Sequence, residues 1–180
     1  MASNETSQSD APRTEMLQDN SPLTGGCQCG AVRFRVERFG SASICHCRMC
    51  QKAFGGFFGP LVSGHGVTWT RGAPSYFQSS NRFRRGFCDK CGTPLTFEAL
   101  DRSDDDVLEV AIGALDHPEL APPTRQLNLN DRLSYFDGLP DLPVRPGDDT
   151  ASLESLAGIV SRQHPDHDTS IWPPGPGFST

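Results

Sequence analysis

The chain lacks any apolar run long enough to cross a bilayer, which excludes a membrane-spanning helix. It is also short of positive charge. Sixteen Lys and Arg face 22 Asp and Glu, a net charge of -6 at neutral pH. That balance gives no general attraction to nucleic acid or to an anionic membrane surface. Hydrophobic residues make up only 36% of 180 positions, lean for a chain that must build a core, so polar ends around one domain are expected. Residues 1–21 lack the basic and apolar regions of a secretory signal, so a cytoplasmic, reducing compartment is the expectation. Seven cysteines in such a compartment do not form a disulfide framework.

What the chain does have is short strands and turn residues. Val32, Phe34 and Val36 alternate with Arg33, Arg35 and Glu37, which predicts a half-buried strand with the charged residues outward. Met49 to Phe54 predicts one or two helical turns, ended by Gly55-Gly56. Further strands are expected at 57–62, 66–70, 74–78, 82–87, 95–98 and 107–112, with a last one at 125–129 carrying Leu127 and Leu129 on one face. The acidic run 101–106 reads as a solvated loop, and 137–140 as a turn closing the domain. The class is mainly β, built of short antiparallel strands. The domain is expected over 23–142, between a disordered arm (1–22) and a Pro/Gly-rich tail (143–180) with one short helix over 152–160. His164 and His167 fall in that tail and read as solvated. His117-Pro118-Glu119 matches H-x-E of the zinc deaminases, but their downstream P-C-x-x-C is missing.

The chemistry lies in the cysteines. Cys45-His46-Cys47-Arg48-Met49-Cys50 puts three thiols within six positions. A packed core spreads its small apolar residues, so such crowding favours a metal site over three unrelated buried cysteines or a redox pair. Three sulfurs leave a tetrahedral ion one ligand short, the mark of an open, catalytic position. Cys88-Asp89-Lys90-Cys91-Gly92 reads as half of a second site, and Cys27/Cys29, flanked by glycines, is the natural other half. Four plus three uses all seven thiols and leaves none over. Three thiolates on zinc make a weak Lewis acid, better suited to activating a thiol than to ionising water. His46 is read either as a donor and proton carrier beside the open site or as a residue turned away to fill a loop. Lys52 and Arg85 are candidates for a substrate carboxylate, with solvated surface charge as the alternative.

Four blocks in order carry a resemblance: Gly25 to Phe34, Cys45 to Lys52, Arg85 to Leu95, and Gly113-Ala114-Leu115-Asp116. Over roughly residues 24–140 the chain resembles the glutathione-dependent formaldehyde-activating enzyme family. The resemblance implies a β-tent fold and two zinc ions. Cys27, Cys29, Cys88 and Cys91 would hold the closed one, and Cys45, Cys47 and Cys50 the open one. It implies a carbon–sulfur lyase that joins formaldehyde to glutathione, with small-molecule partners; the exclusion of nucleic acid and membrane rests on the charge and the lack of a long apolar run. Two departures stand out: family members often carry His where this chain has Arg125-Gln126-Leu127, and Trp in place of Tyr135. The family also holds a centromere-protein-like branch. The competing reading is therefore a zinc-stabilised binding module using Arg82, Arg84, Arg85 and Lys90 to hold a partner.

Overall fold

The computed structural model describes residues 23–101, 107–144 and 161–173. The expected N-terminal arm and the helix at 152–160 lie outside these residues, as does most of the acidic run. Ten strands and one α-helix are present among the described residues: β1 (Thr24–Gly26), β2 (Arg33–Arg35), β3 (Arg38–Cys45), α1 (Arg48–Phe54), β4 (Gly59–His65), β5 (Thr68–Arg71), β6 (Ser75–Gln78), β7 (Phe83–Phe87), β8 (Pro94–Ala99), β9 (Val107–Ala111) and β10 (Arg125–Leu127). The architecture is mainly β, as the turn-rich pattern predicts. No described helix is long and apolar enough to cross a membrane.

Two sheets share one core. The larger has seven strands in the order β10-β3-β4-β9-β8-β7-β6, and the smaller has three in the order β1-β2-β5. Every pairing is antiparallel except β10 on β3. Phe34, Val62, Leu95 and Val110 are the fully buried apolar side chains that bring the sheets together. Phe34 meets Trp69 edge to face at 5.8 Å, which locks β2 against β5.

Several sequence expectations need correction. The strand expected at 31–37 shrinks to Arg33–Arg35, and Arg33 points inward at 3% exposure rather than outward. It lies against Asp116 in a two-bonded pair, Nη1 to Oδ1 at 2.8 Å and Nη2 to Oδ2 at 2.5 Å. A charged residue can take the inner face of a strand when a carboxylate meets it there. The longest strand, β3, is absent from the sequence expectation. Its Gly40-Ser41 stretch falls at a register shift between Phe39 and Ala42, and such residues carry little strand signal. The strand expected from Phe57 begins at Gly59, and the one expected to reach Leu129 stops at Leu127, where a 3-10 turn takes over.

Residues 161–173 fold back onto the domain, which corrects the reading of His164 as solvated. His164 is 4% exposed. Its backbone N–H donates to Gln28 O at 2.7 Å, and its ring fills the space that a side chain on Gly30 would take. Gly30 has φ +78, so no other residue fits there without strain. Arg71 donates to Gly30 O and to Thr169 O, Arg33 to Asp168, and Trp172 Nε1 to Cys29 O at 2.7 Å.

Candidate metal centres

The two cysteine groups expected from the spacing both assemble. Cys27 and Cys29 sit in the turn after β1, and Cys88 and Cys91 in the turn between β7 and β8. Gln28 N donates to Thr93 Oγ1 at 3.0 Å, which ties the two turns together across 65 residues. The four sulfurs lie within 4.8 Å of one another, with Cys27–Cys29 at 3.5 Å and Cys29–Cys88 at 3.8 Å. Sulfurs at ~2.3 Å from a tetrahedral ion stand roughly 3.8 Å apart, so the spacing fits such an ion.

The surroundings of these sulfurs are unequal. Burial pushes the Cys27 and Cys29 thiols up, and Cys88 up to about 11. Burial acts on Cys91 as well, but the Thr93 hydroxyl 3.1 Å away, together with the Thr93 and Cys29 backbone N–H groups, outweighs it and brings the thiol down to about 6. Four converging sulfurs, most of them reluctant to ionise alone, are a donor set that a cation completes by making thiolates of them.

The second group is built by β3, α1 and β10. Cys45 ends β3, Cys47 is the N-cap of α1, and Cys50 lies one turn in. Cys50 N donates to Cys47 Sγ at 3.4 Å. Gly59, at the start of β4, lets that strand approach the helix closely: a Cβ there would meet Cys50 Cβ at 2.8 Å. The three sulfurs form their own group within the same 4.8 Å limit, with no fourth donor among the described residues.

Around these sulfurs are residues that local pattern does not reveal. β10 lies parallel to β3, with Leu127 opposite Cys45. Asn128 follows in the left-handed conformation, φ 55, and its Nδ2 donates to Cys45 Sγ at 3.0 Å. Burial raises the Cys45 thiol, but the Cys47 N–H and Asn128 more than offset it, and the thiol sits below its usual value. Gln126 Oε1 accepts from His46 Nε2 at 2.8 Å. Gln51, buried beneath the cluster, donates to His46 O and Asp131 O. The only sequence hint of β10 is its β-like pattern; its partner lies about 80 positions away.

His46 is fully buried. Its ring meets Phe136 edge-on at 4.7 Å and Phe58 at 6.3 Å, and its nitrogens stand outside the three-sulfur group. With Nε2 committed to Gln126, Nδ1 is a buried acceptor without a partner among the described residues. Lys52 is exposed on the last turn of α1. Arg85 is not at the surface: it is 8% exposed, lies over the Phe97 ring at 4.8 Å, and sends Nη2 to within 3.4 Å of Cys50 Sγ. Burial pushes the Cys50 thiol up to about 12 despite the opposing pull of Arg85.

Of the basic stretch, Arg82 and Lys90 are exposed while the other two are engaged or buried. Arg84 pairs with Glu98 at 2.6 Å and lies over Tyr76, Arg82 faces Asp101, and Arg85 turns inward. His117, of the H-x-E match, precedes a 3-10 turn and is close to Glu119.

The fold and its two clusters define a mainly β protein with a four-sulfur and a three-sulfur site, each suited to a metal ion. A family model described as glutathione-dependent formaldehyde-activating enzyme matches residues 22–131, and the chain belongs to that family. Among solved structures it is similar to the crystal structure of a Rhodobacter sphaeroides protein, at 22% identity over 58% of this chain and 99% of that one, with a TM-score of 0.46.

Proposed function

We propose that the chain is a zinc-dependent carbon–sulfur lyase that joins glutathione, or a related thiol, to formaldehyde or another small carbonyl. The observation that carries this is the three-sulfur cluster, one donor short of a tetrahedron, in the same domain as a complete four-sulfur cluster. Each takes one zinc. The closed site of Cys27, Cys29, Cys88 and Cys91 is structural, and that of Cys45, Cys47 and Cys50 is catalytic. The catalytic zinc, when bound, offers a position at which a thiol is held as thiolate.

The reaction balances without an oxidant. The sulfur pair forms the S–C bond, the carbonyl π pair moves onto oxygen, and that oxygen takes up the proton the thiol gave. The reverse breaks the same bond. His46 carries the proton, since its Nδ1 is a buried acceptor with no other partner among the described residues. Lys52, exposed at the end of α1, is our candidate for holding a carboxylate of the thiol. The domain over 23–142 is the catalytic unit, and a reducing cytoplasm keeps its thiols available. Arg85 is turned inward and Arg84 is held by Glu98, which removes two of the four basic side chains on which a binding module would rely.

The test is zinc content together with the rate of S-hydroxymethylglutathione formation and breakdown, followed by NMR exchange. Two zinc ions per chain and acceleration in both directions are expected. A protein loaded with two zinc ions that accelerates neither direction overturns the proposal.

A further inference from the structure

Two arginines are buried among the described residues, Arg33 and Arg85. Arg33 has Asp116 and Asp168, and the half-exposed Arg84 has Glu98. Arg85 is the exception. It is buried and pairs with no carboxylate among the described residues. A guanidinium does not give up its proton in a protein, and an isolated charge removed from water is costly. Something else must supply the negative charge. Its Nη2 is 3.4 Å from Cys50 Sγ. Phe97 covers one side at 4.8 Å, and an apolar cleft of about 170 Å³, lined by Phe54, Phe77 and Phe87, adjoins it.

We infer that Arg85 is the built-in counter-cation of the three-sulfur centre, a positioning residue that lets it accept an anionic thiolate, and not a reader of substrate carboxylates. Three thiolates around a divalent ion leave one net negative charge, which repels a fourth thiolate. Arg85 cancels that charge from the protein side. Asn128 assists at a second sulfur with a neutral donor, its Nδ2 at 3.0 Å from Cys45 Sγ. Two of the three sulfurs therefore carry a donor from outside their own segment. The inference rests on the proposed thiol chemistry and names what in this chain makes it electrostatically feasible.

The test uses cobalt-substituted protein and two probes, glutathione and 2-mercaptoethanol, the second having no carboxylate. Thiol binding is read from the sulfur-to-cobalt charge-transfer band, and fold and metal content are checked for each variant. Arg85→Met should keep two metals per chain and bind both thiols on the order of tenfold more weakly or worse, the scale of a lost charged hydrogen bond. Arg85→Lys, which keeps the charge, should recover much of the loss. If Arg85→Met does not fold, Arg85→Gln, which keeps a donor without the charge, should show the same parallel weakening. Loss for glutathione alone would mean that Arg85 reads a carboxylate and overturns the inference, as would unchanged binding of both thiols. If the parent protein binds neither thiol, the proposed function fails and takes this inference with it. Thiol binding by the parent with no effect in the variants defeats the inference alone.

Discussion

Arg33 shows what alternation can and cannot tell. Val32, Phe34 and Val36 are buried as the period-two pattern requires, but Arg33 between them is buried too. Its partner Asp116 is 83 positions away, so no local pattern could reveal the pair. Thr24 adds a hydroxyl donor to the same carboxylate. Burial works against the Asp116 carboxylate, but Arg33 and Thr24 outweigh it and hold the carboxyl below its ordinary value of 3.8. Such a depressed acid stabilises the fold above its unfolded value and loses that contribution as pH falls through the folded one. Asp116→Asn should cost about 3 kcal/mol near neutral pH, toward the low end for a broken buried pair because Asp168 still faces Arg33. Urea melts of parent and variant between about pH 7 and pH 3 would check it. The gap should be widest at neutral pH and narrow below about pH 4. A gap that is flat across that range would show that the pair is not what the carboxylate stabilises.

At the scale of elements, the cysteine spacings were readable because ligand geometry is local. C-x-C, C-x-C-x-x-C and C-x-x-C-G each dictate a turn, and each turn is where the spacing puts it. Gly55 ends α1 in the left-handed conformation, as its position predicts. β3 was not readable, since Gly40 and the serines weaken it, and β10 was readable as a strand but not in its partner, since a parallel pairing has no turn to announce it. The same contrast bears on the two metal sites. The closed site joins turns some 60 residues apart, whereas the open site ties only the end of β3 to the first turn of α1, a seven-residue helix. Closing a long loop removes more entropy from the unfolded chain than closing a short one. Cys27→Ser should therefore aggregate or melt far below the parent. Cys47→Ser should stay folded, lose about one zinc per chain and lose turnover of the hydroxymethyl adduct. If Cys47→Ser unfolds as badly as Cys27→Ser, both sites are structural. If it keeps parent turnover, the assignment of the catalytic site is wrong.

For the whole molecule, the segment at 161–173 matters because it lies beyond residues 22–131, where the family model matches, yet packs on the closed metal site. Its composition conceals this. Pro, Asp and His in a Pro-rich stretch look solvated, and only the contacts show otherwise. Trp172 and His164 bond to the backbone of Cys29 and Gln28, the very turn that presents two sulfurs, and Trp172 packs against the core. Asp168 and Thr169 hold Arg33 and Arg71 from the same side. The segment thus restrains one half of a site whose other half is restrained by Thr93. Trp172→Ala should cost about 2 kcal/mol from lost apolar burial and one hydrogen bond. It should also speed the loss of metal from the four-cysteine site to a chelator by up to roughly thirtyfold, the scale set by that stability change if release follows local opening. The three-cysteine site, whose residues make none of these contacts with 161–173, should release its metal at the parent rate. Chelator competition with a coloured zinc indicator resolves the two ions as two phases, assigned with Cys47→Ser, and a chain ending at residue 160 should exaggerate the effect in the phase of the four-cysteine site. Equal acceleration of both phases would mean that the segment acts through global stability alone, and no acceleration would mean that it merely rests on the surface of the turn.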